Sequence, residues 1–196
     1  MGAVMSVEPT PTYQWPRPPQ DGYVADDLDR LPNLPPHTEL IDGSLVIVSP
    51  QTLFHLLTVE LLTGQLARAT PPELRAFREM TVTLGAKDRP EPDVMVLRAE
   101  GVSGLSQTSF APEHVVLAVE VVSTESRARD REAKPRKYAA AGIPHFWRVE
   151  PENDRPVVFV HELEPATGTY VPTGIHREQL KLTVPFPIDI DLTLPA

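Results

Sequence analysis

Three acids stand in or beside apolar runs that read as strands. Glu39 opens the run ELIDGSLVIVS, Asp93 follows Pro92 ahead of VMVL, and Glu120 interrupts the valine-rich HVVLAVEVVS. A carboxylate set in a buried strand is costly unless it is paired, protonated or bound to a cation. Singly, each reads as a strand-end acid paired to an Arg or Lys. Together, three converging carboxylates suit Mg²⁺ or Mn²⁺, hard ions that take oxygen ligands and keep several waters. The chain holds no cysteine, which excludes disulfides, thiolate zinc sites, iron–sulfur clusters and cysteine nucleophiles together. A metal here would be held by oxygen or imidazole.

The elements that must position these acids follow from periodicity and turn chemistry. VADDLDRL (24–31) reads as a short helix with acids near its start, and Pro32, Pro35 and Pro36 then impose an extended connector. Asp42-Gly43 between apolar runs is a two-residue hairpin signal, because a type I′ turn needs positive φ at both central positions. From Thr52 to Ala69, Leu56, Val59, Leu62 and Leu66 recur at helical spacing, and Pro71 and Pro72 end the pattern. RAFREMTVTL (75–84) and PDVMVL (92–97) read as strands, and 99–113 as a surface loop. HVVLAVEVVS, apolar on both faces, reads as a central buried strand. A second helix ends at Gly142, and the strands PHFWRVE, PVVFVHEL and GTYVP follow, with QLKLTV and IDIDLTL as shorter edge pieces. The order predicts an α/β fold of the α+β kind, a mixed sheet flanked by helices in a single domain over 23–196. Residues 1–22, with five prolines and no apolar period, read as a disordered tail in which Trp15 has no readable role.

Between 125 and 137, Arg127, Arg129, Arg131, Lys134, Arg136 and Lys137 outnumber Glu125, Asp130 and Glu132 by three charges. Beside a metal site, Arg127, Arg129, Arg131 and Lys137 could hold phosphate oxygens; the same segment also reads as a solvated helix entrance with internal salt bridges. Asp130 lies one helical turn before Lys134 and could orient it.

These residues resemble a family. Pro92-Asp93 followed by Glu120 is similar to the PD-(D/E)XK nuclease pattern of restriction-endonuclease-like folds, and the likeness is nearest to the Uma-type endonucleases of bacteria. Glu39-Leu40-Ile41-Asp42-Gly43, Ser49-Pro50 with His55, Val119 to Ser123, Asp130 with Lys134 and Tyr138, and Ala141-Gly142-Ile143-Pro144 before Phe146-Trp147 resemble that family's signature blocks in order, over about residues 24 to 190. The resemblance implies phosphodiester hydrolysis in DNA, RNA not being excluded. It implies Asp93 and Glu120 as metal ligands, Glu39 as a further ligand or water-positioning acid, and His55 as an auxiliary residue. In the simple motif a lysine stands two residues after the acid; here that position is Val122. Relatives with the altered motif supply the lysine from the following helix, where Lys134 matches, with Lys137 as the fallback. Pro135 disfavours α geometry at Lys134 unless the helix has only just begun.

Length, 196 residues, allows a substantial core, and 41% hydrophobic with 23% charged residues is ordinary for a globular protein. A net charge of −9 argues against nonspecific coating of nucleic acid, without excluding a local basic groove. No apolar run is long enough for a membrane span and the opening lacks the order of a signal peptide, so a cytoplasmic protein is expected. Nucleotide-phosphate, zincin and dinucleotide motifs are absent. Ser123 has no Ser-His-acid or elbow context and reads as a strand end or helix cap. The expectation is a Mg²⁺- or Mn²⁺-dependent endonuclease acting as a homodimer, with a noncatalytic nucleic-acid-binding or protein-interaction module on the same fold as the alternative.

Overall fold

The computed structural model describes residues 17–195; residues 1–16 of the expected tail, Trp15 among them, lie outside these. The short acidic helix α1 spans Asp27–Arg30. Strands β1 (Glu39–Ile41) and β2 (Ser44–Val46) pair antiparallel with Ile41 opposite Ser44. Asp42 and Gly43 turn between them with φ of 50° and 73°, the two positive values that the sequence demanded. Helix α2 (Leu53–Ala69) starts at Thr52, whose hydroxyl accepts from the His55 amide at 3.2 Å. Its buried face is His55, Thr58, Val59, Leu62 and Leu66. Leu56, expected on that face, is instead exposed, because His55 takes the inward position and residue 56 is rotated about 100° away.

The run 75–84, read as one strand, is two. β3 (Leu74–Arg78) joins the main sheet, the chain turns at Glu79 with φ of 52°, and β4 (Thr81–Val82) pairs elsewhere. Its parallel partner is β6 (Ser109–Phe110), a two-residue strand within the expected loop. β5 (Val94–Arg98) and β7 (Val115–Val121) follow, and every residue of β7 is buried. After helix α3 (Lys134–Ala140), closed by Gly142 at φ 79°, come β8 (His145–Glu152), β9 (Arg155–Glu164) and β10 (Thr169–His176). The last two strands, β11 (Gln179–Leu182) and β12 (Ile188–Asp191), are not edges of that sheet; they form a separate antiparallel ribbon.

The main sheet is mixed α+β architecture, ordered β10-β9-β8-β7-β5-β3. β7 and β8 are parallel, as a crossover through α3 requires, and the other neighbours are antiparallel. Alternation along β7 divides the core. Leu117, Val119 and Val121 face α2 and the β11–β12 ribbon, with Trp147 and Val160. Ala118 faces Tyr138 and Phe146 on the α3 side. Glu120, two residues after Ala118, therefore faces α3. Among the described residues no helix is long and apolar enough to cross a membrane.

A buried arginine fixes the β1–β2 hairpin to the rest. Arg89 donates to Thr81 Oγ1, Ala25 O, Thr108 O and both carboxylate oxygens of Asp29, while its backbone exchanges hydrogen bonds with Leu40. Arg89→Ala leaves the Thr81, Ala25 and Thr108 acceptors without this donor and removes the pairing with the exposed Asp29, and should lower unfolding stability by about 3 kcal/mol. Urea denaturation checks this as a lower midpoint at unchanged slope.

Candidate active site

Register brings the acids together. Val94 opposite Val119 carries Asp93 beside Glu120, and Asp93 Oδ2 accepts from the Val121 amide at 2.6 Å. The other oxygen, Oδ1, lies 3.0 Å from Nε2 of the buried His55 on α2. Glu39, at the start of β1, accepts from the Glu91 amide at 2.7 Å. Lys134 opens α3 and is buried among the acids. Its Nζ donates to Glu120 Oε2 at 2.9 Å, lies 2.7 Å from Glu39 Oε1, and stands 3.6 Å from Asp130 Oδ1. Tyr138, one turn further along α3, donates to Glu120 Oε1 at 2.6 Å. A cleft of about 320 Å³ opens onto these groups, with His37, Glu79, Glu91, Ser126 and Arg129 also on its walls.

Pro135 does not keep Lys134 out of helical geometry: Lys134 has φ −61° and ψ −47°. The preceding turn, Arg129–Ala133, is π-helical. A widened turn gives room where a proline ring would press on the carbonyl four residues back, and α3 itself has only just begun. The same turn carries Asp130 inward, where its Oδ1 is buried without a hydrogen-bond partner.

Four carboxylates, those of Glu39, Asp93, Glu120 and Asp130, thus surround one ammonium, and the surplus negative charge shows in the protonation of the cluster. Burial pushes Glu120 well above the usual carboxylate range; Lys134 opposes this, and the neighbouring acids reinforce it. Burial likewise raises Asp130 against the pull of Lys134. Burial alone would lower Lys134, but Glu120, Glu39, Asp130 and Asp93 outweigh it and hold the amine well above its ordinary value, fully charged. Burial and the adjacent Glu120 raise Tyr138, which stays a protonated donor.

The expected acids Glu39, Asp93 and Glu120, Lys134 in place of a lysine at Val122, and the auxiliary His55 and Asp130 all meet here. The expected phosphate-holding segment is divided. Arg129 lines the cleft and Arg127 is exposed. Arg131 is ion-paired with Glu150, and Lys137 bridges Asp42 and Asp88 at the hairpin turn. Lys137 is therefore a hairpin anchor, and the fallback role passes to no second lysine. Ser123 Oγ accepts from the Ser126 amide at 3.0 Å, in the manner of a cap. Sequence reasoning gave Tyr138 no role, although Asp130, Lys134 and Tyr138 recur every four residues on one helical face. Glu91 and His37, whose Nδ1 is 2.5 Å from Glu91 Oε1, carried no readable signal.

Whether these residues suit a divalent ion turns on donor chemistry. The groups there able to ligate a cation are hard oxygen donors and imidazole, and Asp130 Oδ1 is a buried oxygen with no hydrogen-bond donor. Among the described residues no three such side chains stand grouped as a cage. Mg²⁺ seldom uses one: it is held by one or two carboxylates, with water and substrate phosphate completing the shell. By donor type and charge the site fits a Mg²⁺- or Mn²⁺-like ion, with Asp93 and Glu120 as the residues that would hold it and Glu39 beside them.

A mixed sheet with carboxylates at adjacent strand positions and a crossover helix is the architecture of a restriction-endonuclease-like fold. The structure is similar to a crystal structure described as a putative nuclease belonging to DUF820, from Anabaena variabilis, with a TM-score of 0.64 over 83% of this chain and 89% of that one at 18% identity. Residues 25–195 match the model of the Uma2 family, described as "Putative restriction endonuclease", and the chain belongs to that family. No curated protein matches it.

The lysine and its acids should be energetically inseparable. Lys134→Met leaves buried carboxylates uncompensated and should cost about 3–5 kcal/mol. Combined with Glu120→Gln the loss should be smaller than the two single losses summed, by more than about 1 kcal/mol. Urea melts of the four proteins at neutral pH measure the coupling, and strict additivity would break the cluster into independent pairs.

Proposed function

We propose that this chain is a divalent-metal-dependent endonuclease that hydrolyses phosphodiester bonds in DNA. The observation that carries the reading is the buried Lys134 ammonium held by Glu39 and Glu120 at the wall of a carboxylate-rich cleft. A Mg²⁺ or Mn²⁺ held by Asp93 and Glu120 would supply Lewis-acid charge to the phosphoryl and leaving oxygens and acidify its water.

The chain's own groups divide the remaining work. Lys134, kept charged by the carboxylates around it, offsets negative charge developing on the phosphoryl oxygens and orients the attacking water from a fixed position. Glu39 and Asp130 hold that amine in place. Tyr138 and His55 fix the rotamers of Glu120 and Asp93 through single hydrogen bonds. Arg129, at the rim, is placed to receive a phosphate, which guanidinium geometry suits. A homodimer would present two such clefts to opposite strands, the economical arrangement for cutting a duplex.

A second reading, a noncatalytic module on this fold, has one observation in its favour: both oxygens of Glu120 and of Asp93 already have protein partners. Supercoiled plasmid incubated with Mg²⁺ or Mn²⁺ separates the two. The nuclease reading expects metal-dependent nicking, lowered at least about 100-fold in Asp93→Ala and in Lys134→Met. It also expects the metal to raise the melting temperature of the wild type and not of Asp93→Ala. Absence of both nicking and the thermal shift would leave the noncatalytic module.

A further inference from the structure

The α3 side of the sheet carries a second recess, separated from the acidic cleft by α3 itself. On that face Arg148, His161 and Tyr170 are only partly covered, while Phe146 is buried. Register sets Phe146 opposite His161 and Arg148 opposite Phe159. Phe146 stacks on Tyr170 with centroids 5.4 Å apart, and His161 lies 5.6 Å from the same ring. His161 and Tyr170 floor a groove of about 470 Å³, with Phe146 buried beneath them. Its walls carry a basic excess: Arg148 from the sheet, and Arg131 and Arg136 from the helix side against the one acid Glu132.

Arg131 and Arg148 share the single carboxylate of Glu150, so the three cations outnumber the acid that pairs with them. The Arg148 guanidinium carbon sits 4.7 Å over the Phe159 ring, an arrangement that fixes the plane of the guanidinium without neutralising it. Its Nε is ion-paired with Glu150 Oε1 at 2.7 Å, out of hydrogen-bond alignment. Glu150 also pairs with Arg131, so one carboxylate is shared by two guanidiniums. Arg136 is exposed and uses only Nε, on the Glu132 carbonyl. His161 is held below its ordinary value by burial and by Arg148, so the floor at neutral pH is an uncharged ring.

Rings below and three guanidiniums at the rim, two of them sharing one carboxylate, in a chain of net charge −9, match one chemistry: an aromatic base carrying a phosphate. In a duplex the base faces are stacked away, so a floor of rings selects an unpaired base. The basic segment links the two recesses. Arg129 enters the acidic cleft and Arg131, two residues on, enters the groove.

We propose that the groove between α3 and β8–β10 binds an unpaired, single-stranded segment of the nucleic acid whose phosphodiester enters the acidic cleft, with a base on the His161 and Tyr170 rings and its phosphates on Arg131, Arg136 and Arg148. This deepens the nuclease reading and rests on it for the identity of the strand; its test does not depend on turnover.

Fluorescence anisotropy of a labelled dodecathymidylate and of a same-length blunt duplex, both in EDTA, reads binding without cleavage. Arg136→Glu with Arg148→Gln should weaken the single strand at least about tenfold and flatten its salt dependence, by roughly 0.7 in slope per lost phosphate contact. His161→Leu, which keeps an apolar side chain but removes the ring, should weaken it about fivefold or more. The duplex should change less than about twofold in both, and thermal melts should match the wild type within a few degrees. Unchanged single-strand affinity in folded variants overturns the proposal, as does a wild type that does not bind the single strand. Equal weakening of strand and duplex would reduce the groove to general phosphate contacts, and competition by thymidine monophosphate at the oligonucleotide's own concentration would make it a free-nucleotide pocket; either result also overturns it. A protein that binds the strand through this groove yet never nicks DNA would defeat the nuclease reading and leave the groove standing.

Discussion

One buried ammonium holds the site together. Without Lys134, the carboxylates of Glu39, Glu120 and Asp130 would meet in a space with little water, and neither burial nor mutual repulsion would let all of them ionise. With it, three elements distant in sequence become mutually dependent. β1 supplies Glu39, β7 supplies Glu120, and the turn entering α3 supplies Asp130 and the amine. The hairpin is docked at the opposite end as well, by Arg89 beneath it and Lys137 across its turn. The cluster is therefore as much a joint of the fold as a place for chemistry.

The frame of the fold was legible where one local rule decides the outcome. Asp42-Gly43 announced the hairpin because few pairs accept two positive φ values. Thr52 and Pro71 bounded α2, and the valine-rich run around Glu120 could only be a strand buried on both faces. What stayed hidden depends on tertiary partners. The break at Glu79 falls where the alternation slips, at the polar pair Arg78-Glu79, a fault that a single strand with a bulge would equally show, and β4 exists because Ser109-Phe110 lies beside it. The ribbon of β11 and β12 has the same alternating pattern that a sheet edge would have, and only packing beneath α2 decides between them. Leu56 lost its place to His55 because a carboxylate, invisible in the helix's own sequence, waits for the imidazole.

Among the site residues the acids were conspicuous because charge inside an apolar run is an anomaly at the level of sequence alone. Lys134 needed the family pattern, since a lysine in a basic segment is unremarkable, and Pro135 argued against it. Tyr138 stood in the family's block beside Lys134 but with no role of its own, because its use needs two partners from elsewhere in the fold: its ring packs 6.0 Å from Phe146 while its hydroxyl meets Glu120. Arg127, Arg129, Arg131 and Lys137 could not be sorted by composition. Their directions are set by a π-helical turn that has no sequence signature of its own.

Moving the lysine from the strand to the helix changes what sets its position. A lysine at residue 122 would share Glu120's face of β7 and be fixed by the strand. Here residue 122 is a buried valine whose amide donates to Val149 O, and the position serves the core. The amine is instead placed by how α3 lies on the sheet, through Tyr138, Ile143 and Phe146 in one apolar cluster. Core packing on that face thus fixes the distance from Nζ to two carboxylates, and a change of packing too small to unfold the protein is large on the scale of a 2.7 Å contact. The same helix forms one wall of the basic groove, so a shift of α3 moves Lys134 and Arg136 together. Acidic cleft and aromatic groove are set by a single rigid part, and their relative spacing is a property of how one seven-residue helix packs.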